Sequence, residues 1–271
     1  MKTNDIIKIT VIALLITFTA FGIDGIKQDI KALSHYSWQF LSNLLIVVVL
    51  YLYTIKSSYS NKLLWFSLWG ILFIIGHFNI LVEALIFNIT SRNQTFTALM
   101  RGFFSSGILS YLLYHFLGRD KENQQESVAF ARRSTWQWVV KVLLGNIIYF
   151  LFYFAAGMTL SLVYPQLMDF YGDKIPPLHQ IIITNLCFRG FIFVGIAILI
   201  DLTTLSSALY KGILTGLIFA VIGGIAPLVI PNDLMPQNIR VAHGFEVGIS
   251  NFLYGWILQY LLARKKQVLK V

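Results

Sequence analysis

Apolar residues run along this chain in blocks of roughly 20, the length that carries an α-helix across the hydrocarbon core of a bilayer. Eight blocks stand out, at about 6–23, 38–55, 63–87, 95–117, 136–163, 179–200, 208–230 and 242–263. The pattern predicts an all-α fold, a polytopic membrane helix bundle with about eight transmembrane helices. Residues 1–271 are expected to form a single integral membrane domain. The first block, IIKITVIALLITFTAFG, resembles a signal-peptide core. Ala20-Phe21-Gly22 is a poor small-x-small cleavage site, so the block is expected to persist as the first helix.

Composition points the same way. Hydrophobic residues make up 57% of the chain and charged ones 12%, about half the charged share of soluble proteins. A soluble fold of this size needs more polar surface to cover its core. The mean hydropathy of +0.71 agrees. The bilayer is therefore the expected partner. The net charge of +9 is scattered over short connections and the C-terminus, with no basic stripe to follow phosphates, so no nucleic-acid partner is expected.

Basic residues instead predict orientation, because Lys and Arg collect on the cytoplasmic side. With eight spans, one side holds Lys2, Lys8, Lys56, Lys62, Arg119, Lys121, Arg132, Arg133, Arg264, Lys265, Lys266 and Lys270. The other holds Lys27, Lys31, Arg92, Lys174 and Arg240. Both termini are expected in the cytoplasm, and the location is expected to be the plasma (inner) membrane. All six prolines (Pro165, Pro176, Pro177, Pro227, Pro231 and Pro236) fall on the outer side. They either end helices or stiffen an external lid. The longest cytoplasmic connection, about 118–135, is polar and too short for a domain. Trp136 and Trp138 beyond it suit an interfacial belt.

Ionisable residues inside a span cost several kcal/mol and persist when paired or facing a cavity. His77 and Glu83 lie in the third block, Arg101 in the fourth, Arg189 in the sixth, and His243 and Glu246 in the eighth. Asn79, Asn146, Asn185 and Asn251 accompany them. At 1.5 Å per residue, Glu83 lies roughly 6 Å and Arg101 roughly 9 Å below the outer surface. The charged groups thus gather in the outer half of the membrane. His243, Glu246 and Ser250 share one helical face, with Arg240 just before them. Asn185 and Arg189 are i, i+4, as are Asn79 and Glu83, whereas His77 points about 120° away from Glu83.

These residues admit four readings. In the first, Glu83–Arg101 and Arg189–Glu246 are structural ion pairs that only fix helix packing. In the second, an outward-facing pocket among spans three, four, six and eight binds or transports an anionic small molecule or lipid headgroup. Arg101, Arg189, Glu83, Asn185, Asn251 and Arg240 are its candidate ligand-binding residues, and the arginine forks suit carboxylate or phosphate. In the third, a membrane-embedded enzyme acts on a lipid-linked substrate, with His243 as general base oriented by Glu246. The fourth is a metal site at His77, His243 and Glu246, with Glu83 as a further ligand. The spacing HxxE is a weak motif, and HExxH is absent. Phosphate-loop and GxSxG motifs are absent too, and no cofactor is indicated.

Four smaller features complete the reading. Cys187 is the single cysteine, so neither an internal disulfide nor a thiolate cluster is expected. Asn88 and Asn93 fit the glycosylation pattern, which matters only in a secretory pathway. HYSWQFLSNLL at 35–45 and HGFEVGISNFL at 243–253 share a faint echo, as duplicated halves of transporters do. Gly212, Gly216, Gly223 and Gly224 in the seventh block read as close-packing positions.

Overall fold

The computed structural model describes residues 3–24, 30–118, 133–172, 175–232 and 235–263; side chains at 19–33 and 167–168 are also outside the description. The basic residues Lys2, Lys27, Arg119, Lys121, Arg132, Lys174 and the 264–270 tail, the side chain of Lys31, and most of the 118–135 connection lie outside it. Among the described residues the chain is all-helical, with no strand. Its helices are α1 Thr3–Asp24, α2 Ile30–Lys56, α3 Asn61–Ile86, α4 Arg92–Gly118, α5 Thr135–Val163, the short α6 Gln166–Tyr171, α7 Leu178–Thr203, α8 Ala208–Val229 and α9 Gln237–Leu262.

Six helices, formed by α2, α3, α4, α5, α7 and α8, are long and apolar enough to cross a membrane. They coincide with six of the eight predicted blocks. Helices of this kind mark a membrane protein, because a helix satisfies its backbone hydrogen bonds internally where the bilayer core offers no water. α1 and α9 occupy the remaining two blocks with 22 and 26 residues. α9 is the more polar of the two, carrying Arg240, His243 and Glu246.

α9 is the central post. It packs along α8, α5 and α7, while α1 packs on α2 and α3 on α4. Small residues set the closest approach. A Cβ on Gly255 would stand 2.9 Å from the backbone of Gly216, so α8 and α9 meet nearly backbone to backbone. Gly212 and Gly224 similarly face Trp256 and Val247, so the glycines of the seventh block do serve packing. A buried aromatic knot at mid-bundle joins α5, α7, α8 and α9: Tyr149, Phe193, Phe219 and Tyr254 have ring centroids 4.7–6.0 Å apart.

Among the described residues four π-helical segments occur within or at the end of the long helices: Ile74–Phe78, Tyr114–Gly118, Asn185–Arg189 and Ile218–Ile225. A π turn adds one residue and leaves backbone carbonyls in need of donors. Buried amides supply them. Asn146 Nδ2 donates to Leu186 O, and Asn251 Nδ2 donates to Phe219 O at 3.3 Å.

The two ends differ. At one end Pro165, Pro177, Pro231 and Pro236 flank helix termini, which fits helix ending without a separate lid. Asn238 Nδ2 there donates to Tyr164 Oη at 2.8 Å, tying the first turn of α9 to the residue after α5. At the opposite end, Leu205 N donates to Lys56 O at 2.8 Å and Ser58 Oγ to Thr203 O at 3.0 Å, fastening α2 to α7. Arg133 donates to the terminal carbonyls of Leu262 and Ala263, and Lys141 to Leu261 O. These cations cap the C-terminus of α9, where the helix dipole favours positive charge.

Candidate functional site

Arg189 lies at the end of the π segment in α7, about 16 Å along the axis from Leu178, and is buried. Three acceptors hold its guanidinium. Nε donates to Asn79 Oδ1 at 3.0 Å, Nη1 to Asn185 Oδ1 at 3.4 Å, and Nη2 to Glu83 Oε2 at 2.8 Å. Asn79 and Glu83 are i, i+4 on α3, and Asn185 and Arg189 are i, i+4 on α7, so the expected spacings bring both pairs together. The π segments sit just before Asn79 and across 185–189; their extra residue sets the faces on which these groups appear.

α5 supplies the remaining wall. Tyr153 Oη donates to Glu83 Oε1 at 3.2 Å. The guanidinium carbon of Arg189 lies 5.3 Å from the Tyr153 ring centroid and 5.9 Å from that of Tyr149, within cation–π range. Every charged atom is thereby matched, as a buried ion pair requires. The pair is not sealed: the Arg189 side chain is 7% exposed, but that of Glu83 is 29% exposed.

A second pair stands beside it on α9. His243 Nδ1 lies 2.9 Å from Glu246 Oε2. His243 is within electrostatic reach of Glu83 and Arg189. Tyr171, at the end of α6, lies near both Glu83 and Glu246; burial first, then those two carboxylates, push its phenol pKa upward. The phenol is therefore a neutral donor at physiological pH.

Not every expected residue joins. Arg101 is exposed on α4 and makes no ion pair or hydrogen bond among the described residues. The pairing is Glu83–Arg189 and His243–Glu246, in place of the expected Glu83–Arg101 and Arg189–Glu246. The reason is geometric: Arg101 faces outward, while the π segment turns Arg189 toward α3. His77 packs against Gly102 of α4, where an added Cβ would lie 2.6 Å from its ring. Among the described residues no three His, Cys, Asp or Glu side chains come close enough to hold a metal, so His77, His243 and Glu246 do not form the metal set considered above. Asn251 serves the α8 backbone.

Arg240 goes elsewhere. It is buried in the first turn of α9 and lines a cavity of about 750 Å³ between α2, α8 and α9. Among spans three, six and eight the expected residues form a compact charge network that stays partly open at Glu83, and the cavity of about 750 Å³ lies along α2, α8 and α9.

The aromatic partners Tyr149 and Tyr153 were not among the candidate residues. Their signal was present: Asn146, Tyr149 and Tyr153 fall at i, i+3 and i+7, one polar stripe through an otherwise lipid-like helix. Asp201 was also missed. It forms a buried pair with Lys211, Nζ to Oδ1 at 2.8 Å, at the end of the bundle away from Glu83.

Known protein families, characterised proteins and solved structures offer no match to this chain. The fold and the site together define an all-helical membrane protein with a buried Glu83–Arg189 pair between α3 and α7.

Proposed function

We propose that this is an eight-span plasma-membrane protein with both termini cytoplasmic, and that its Glu83–Arg189 centre binds and moves an anionic small molecule or lipid headgroup. α1 and α9, with 22 and 26 residues, extend about 33 and 39 Å at a helical rise, enough to cross the hydrocarbon core. The lopsided count of basic residues supports the orientation. On that orientation the proline-rich end is external and Glu83 is reached from outside.

The observation that carries the reading is the unequal exposure of one ion pair. Arg189 is held on three sides, while its counter-ion Glu83 remains partly open. An incoming carboxylate or phosphate competes with Glu83 for the same Nη2 edge, since guanidinium takes such groups in a planar fork. Proton uptake by Glu83 removes its charge and releases that edge. Anion binding and protonation of Glu83 are then coupled, and closing the site returns the proton as the anion leaves.

The test is uptake of radiolabelled small carboxylates and phosphate esters into proteoliposomes under an acid-outside gradient. Any anion accumulated by the wild type is expected to be lost in Arg189→Ala. In Glu83→Gln, where the competing charge is gone at every pH, binding is expected to persist without its pH dependence. Accumulation unchanged in Arg189→Ala would rule the reading out.

A second reading rests on the His243–Glu246 contact. His243 Nε2 has no hydrogen bond among the described residues, so an oriented imidazole is available as a general base toward a lipid-linked substrate. This reading requires His243→Ala and Glu246→Gln each to abolish turnover in folded protein, an outcome the transport reading does not predict.

A further inference from the structure

The cavity beside α9 is a separate feature with its own charge. Its walls are largely apolar, formed by Trp38 of α2, Leu217 and Leu228 of α8, and Phe245, Ile249 and Leu253 of α9. At about 750 Å³ it falls within the roughly 300–1,000 Å³ of small-ligand pockets. Along α9 it runs from Gln237 to Leu253, roughly 24 Å at a helical rise, somewhat more than the depth of one leaflet. Gly244 and Gly248 keep its α9 wall low.

Arg240 lines this groove at its proline-rich end. The residue is 7% exposed, and no carboxylate, carbonyl or ring partners it among the described residues. A buried guanidinium without a counter-ion is costly, whereas the charges of Glu83 and Arg189 match each other. Among the described residues the groove therefore presents one unmatched cation at its mouth and an apolar wall along its length.

We propose that this groove is a binding site for an anionic phospholipid, its phosphate on Arg240 beside Gln237 and one acyl chain laid along α8 and α9 toward Leu253. Three features favour a lipid over a soluble anion. The walls are hydrocarbon-like, the long axis runs parallel to the spans, and the single cation stands at the end where headgroups lie. Arginine offers phosphate a bidentate fork, and basic pockets between membrane helices take lipid headgroups. This site is independent of the Glu83–Arg189 centre, and its failure would leave that reading untouched.

The test uses the full chain, purified and delipidated in detergent, with thermal unfolding followed on addition of dioleoyl phosphatidylglycerol, dioleoyl phosphatidylcholine, palmitate or glycerol 3-phosphate. Phosphatidylglycerol is expected to raise the midpoint by a few °C, because a ligand that binds only the folded state stabilises it. Phosphatidylcholine is expected to act much less. Arg240→Gln should erase that difference, and Glu83→Gln should retain it. If Arg240→Gln does not fold, Gly244→Leu serves instead: a Cβ there meets Leu228 at an ordinary 3.8 Å, so the longer side chain occupies the groove and should also erase the difference. Equal shifts from both phospholipids, or a difference that survives whichever of these two variants folds, overturn the proposal. So does a shift from palmitate or glycerol 3-phosphate alone that matches phosphatidylglycerol, since it assigns the site to a free fatty acid or a soluble phosphate.

Discussion

Removing the Arg189 guanidinium is the most informative single perturbation of the charge network. Arg189→Met keeps an unbranched apolar stem as far as the Nε position and deletes three hydrogen bonds. The two amide contacts, to Asn79 and Asn185, are worth about 1 kcal/mol each, and the bond to the Glu83 carboxylate about 1.5–3 kcal/mol. The expected loss is about 4 kcal/mol, with the Glu83 part at the low end because that carboxylate is partly exposed. Glu83→Gln is gentler. The buried cation loses its counter-charge but keeps both asparagine oxygens, and glutamine still offers an acceptor, so about 2 kcal/mol is expected. The double variant tests the logic. With the cation gone, a neutral side chain at position 83 no longer costs anything for want of a partner. Glu83→Gln/Arg189→Met should therefore be more stable than the sum of the singles by about 2 kcal/mol. Reversible unfolding in mixed micelles, with free energies extrapolated to zero denaturant, measures all three. Additivity within about 0.5 kcal/mol would refute the claim that these residues form one electrostatic unit.

Three further outcomes are expected. Lys211→Met should cost about 3–5 kcal/mol by stranding the buried Asp201 carboxylate, and Asp201→Asn in the same chain should recover much of it; unfolding midpoints read both, and absence of recovery would mean that the pair is not the reason for the cost. Gly190→Ala should be severely destabilising, because its Cβ would overlap Asn146 Oδ1 and crowd the Asn185 carbonyl, and Asn146→Ala should relieve it in part; a Gly190→Ala protein as stable as wild type would contradict the close α5–α7 contact. Cys187 is exposed on a spanning helix, so intact vesicles should label it with an apolar maleimide and spare it from a charged methanethiosulfonate; equal labelling by both would place it in water.

Much of the fold was legible because its signal is one-dimensional. Apolar runs about 20 residues long need only the bilayer to explain them, and six of the predicted blocks carry helices long and apolar enough to span it. The i, i+4 pairs Asn79–Glu83 and Asn185–Arg189 were equally legible, since helix geometry alone aligns them. Which pair meets which was not. The choice of Arg189 over Arg101 as partner of Glu83 depends on rotation about helix axes, and π segments at 74–78 and 185–189 shift that rotation by an amount no hydrophobic pattern encodes. Arg101 looked equivalent by depth yet faces outward. Tyr149 and Tyr153 were hidden for a different reason, since aromatic residues in an apolar run read as lipid-facing until a charge is found opposite them.

The π segments also explain why so many amides lie inside an apolar bundle. Each inserted residue frees carbonyls that water cannot reach, and an unsatisfied backbone group in hydrocarbon costs several kcal/mol. Asn146 and Asn251 answer that demand at Leu186 and Phe219. Asn185 donates to Ile181 O at 2.8 Å with its nitrogen while accepting from Arg189 with its oxygen. A single side chain thus couples the repair of the distorted helix to the orientation of the guanidinium. A regular α7 would need no such asparagine, but it would present Arg189 at a different azimuth from α3, with Glu83 and Asn79 no longer opposite. The distortion and the charge centre are therefore one feature: the backbone departs from regular helix where the arginine has to face its partners.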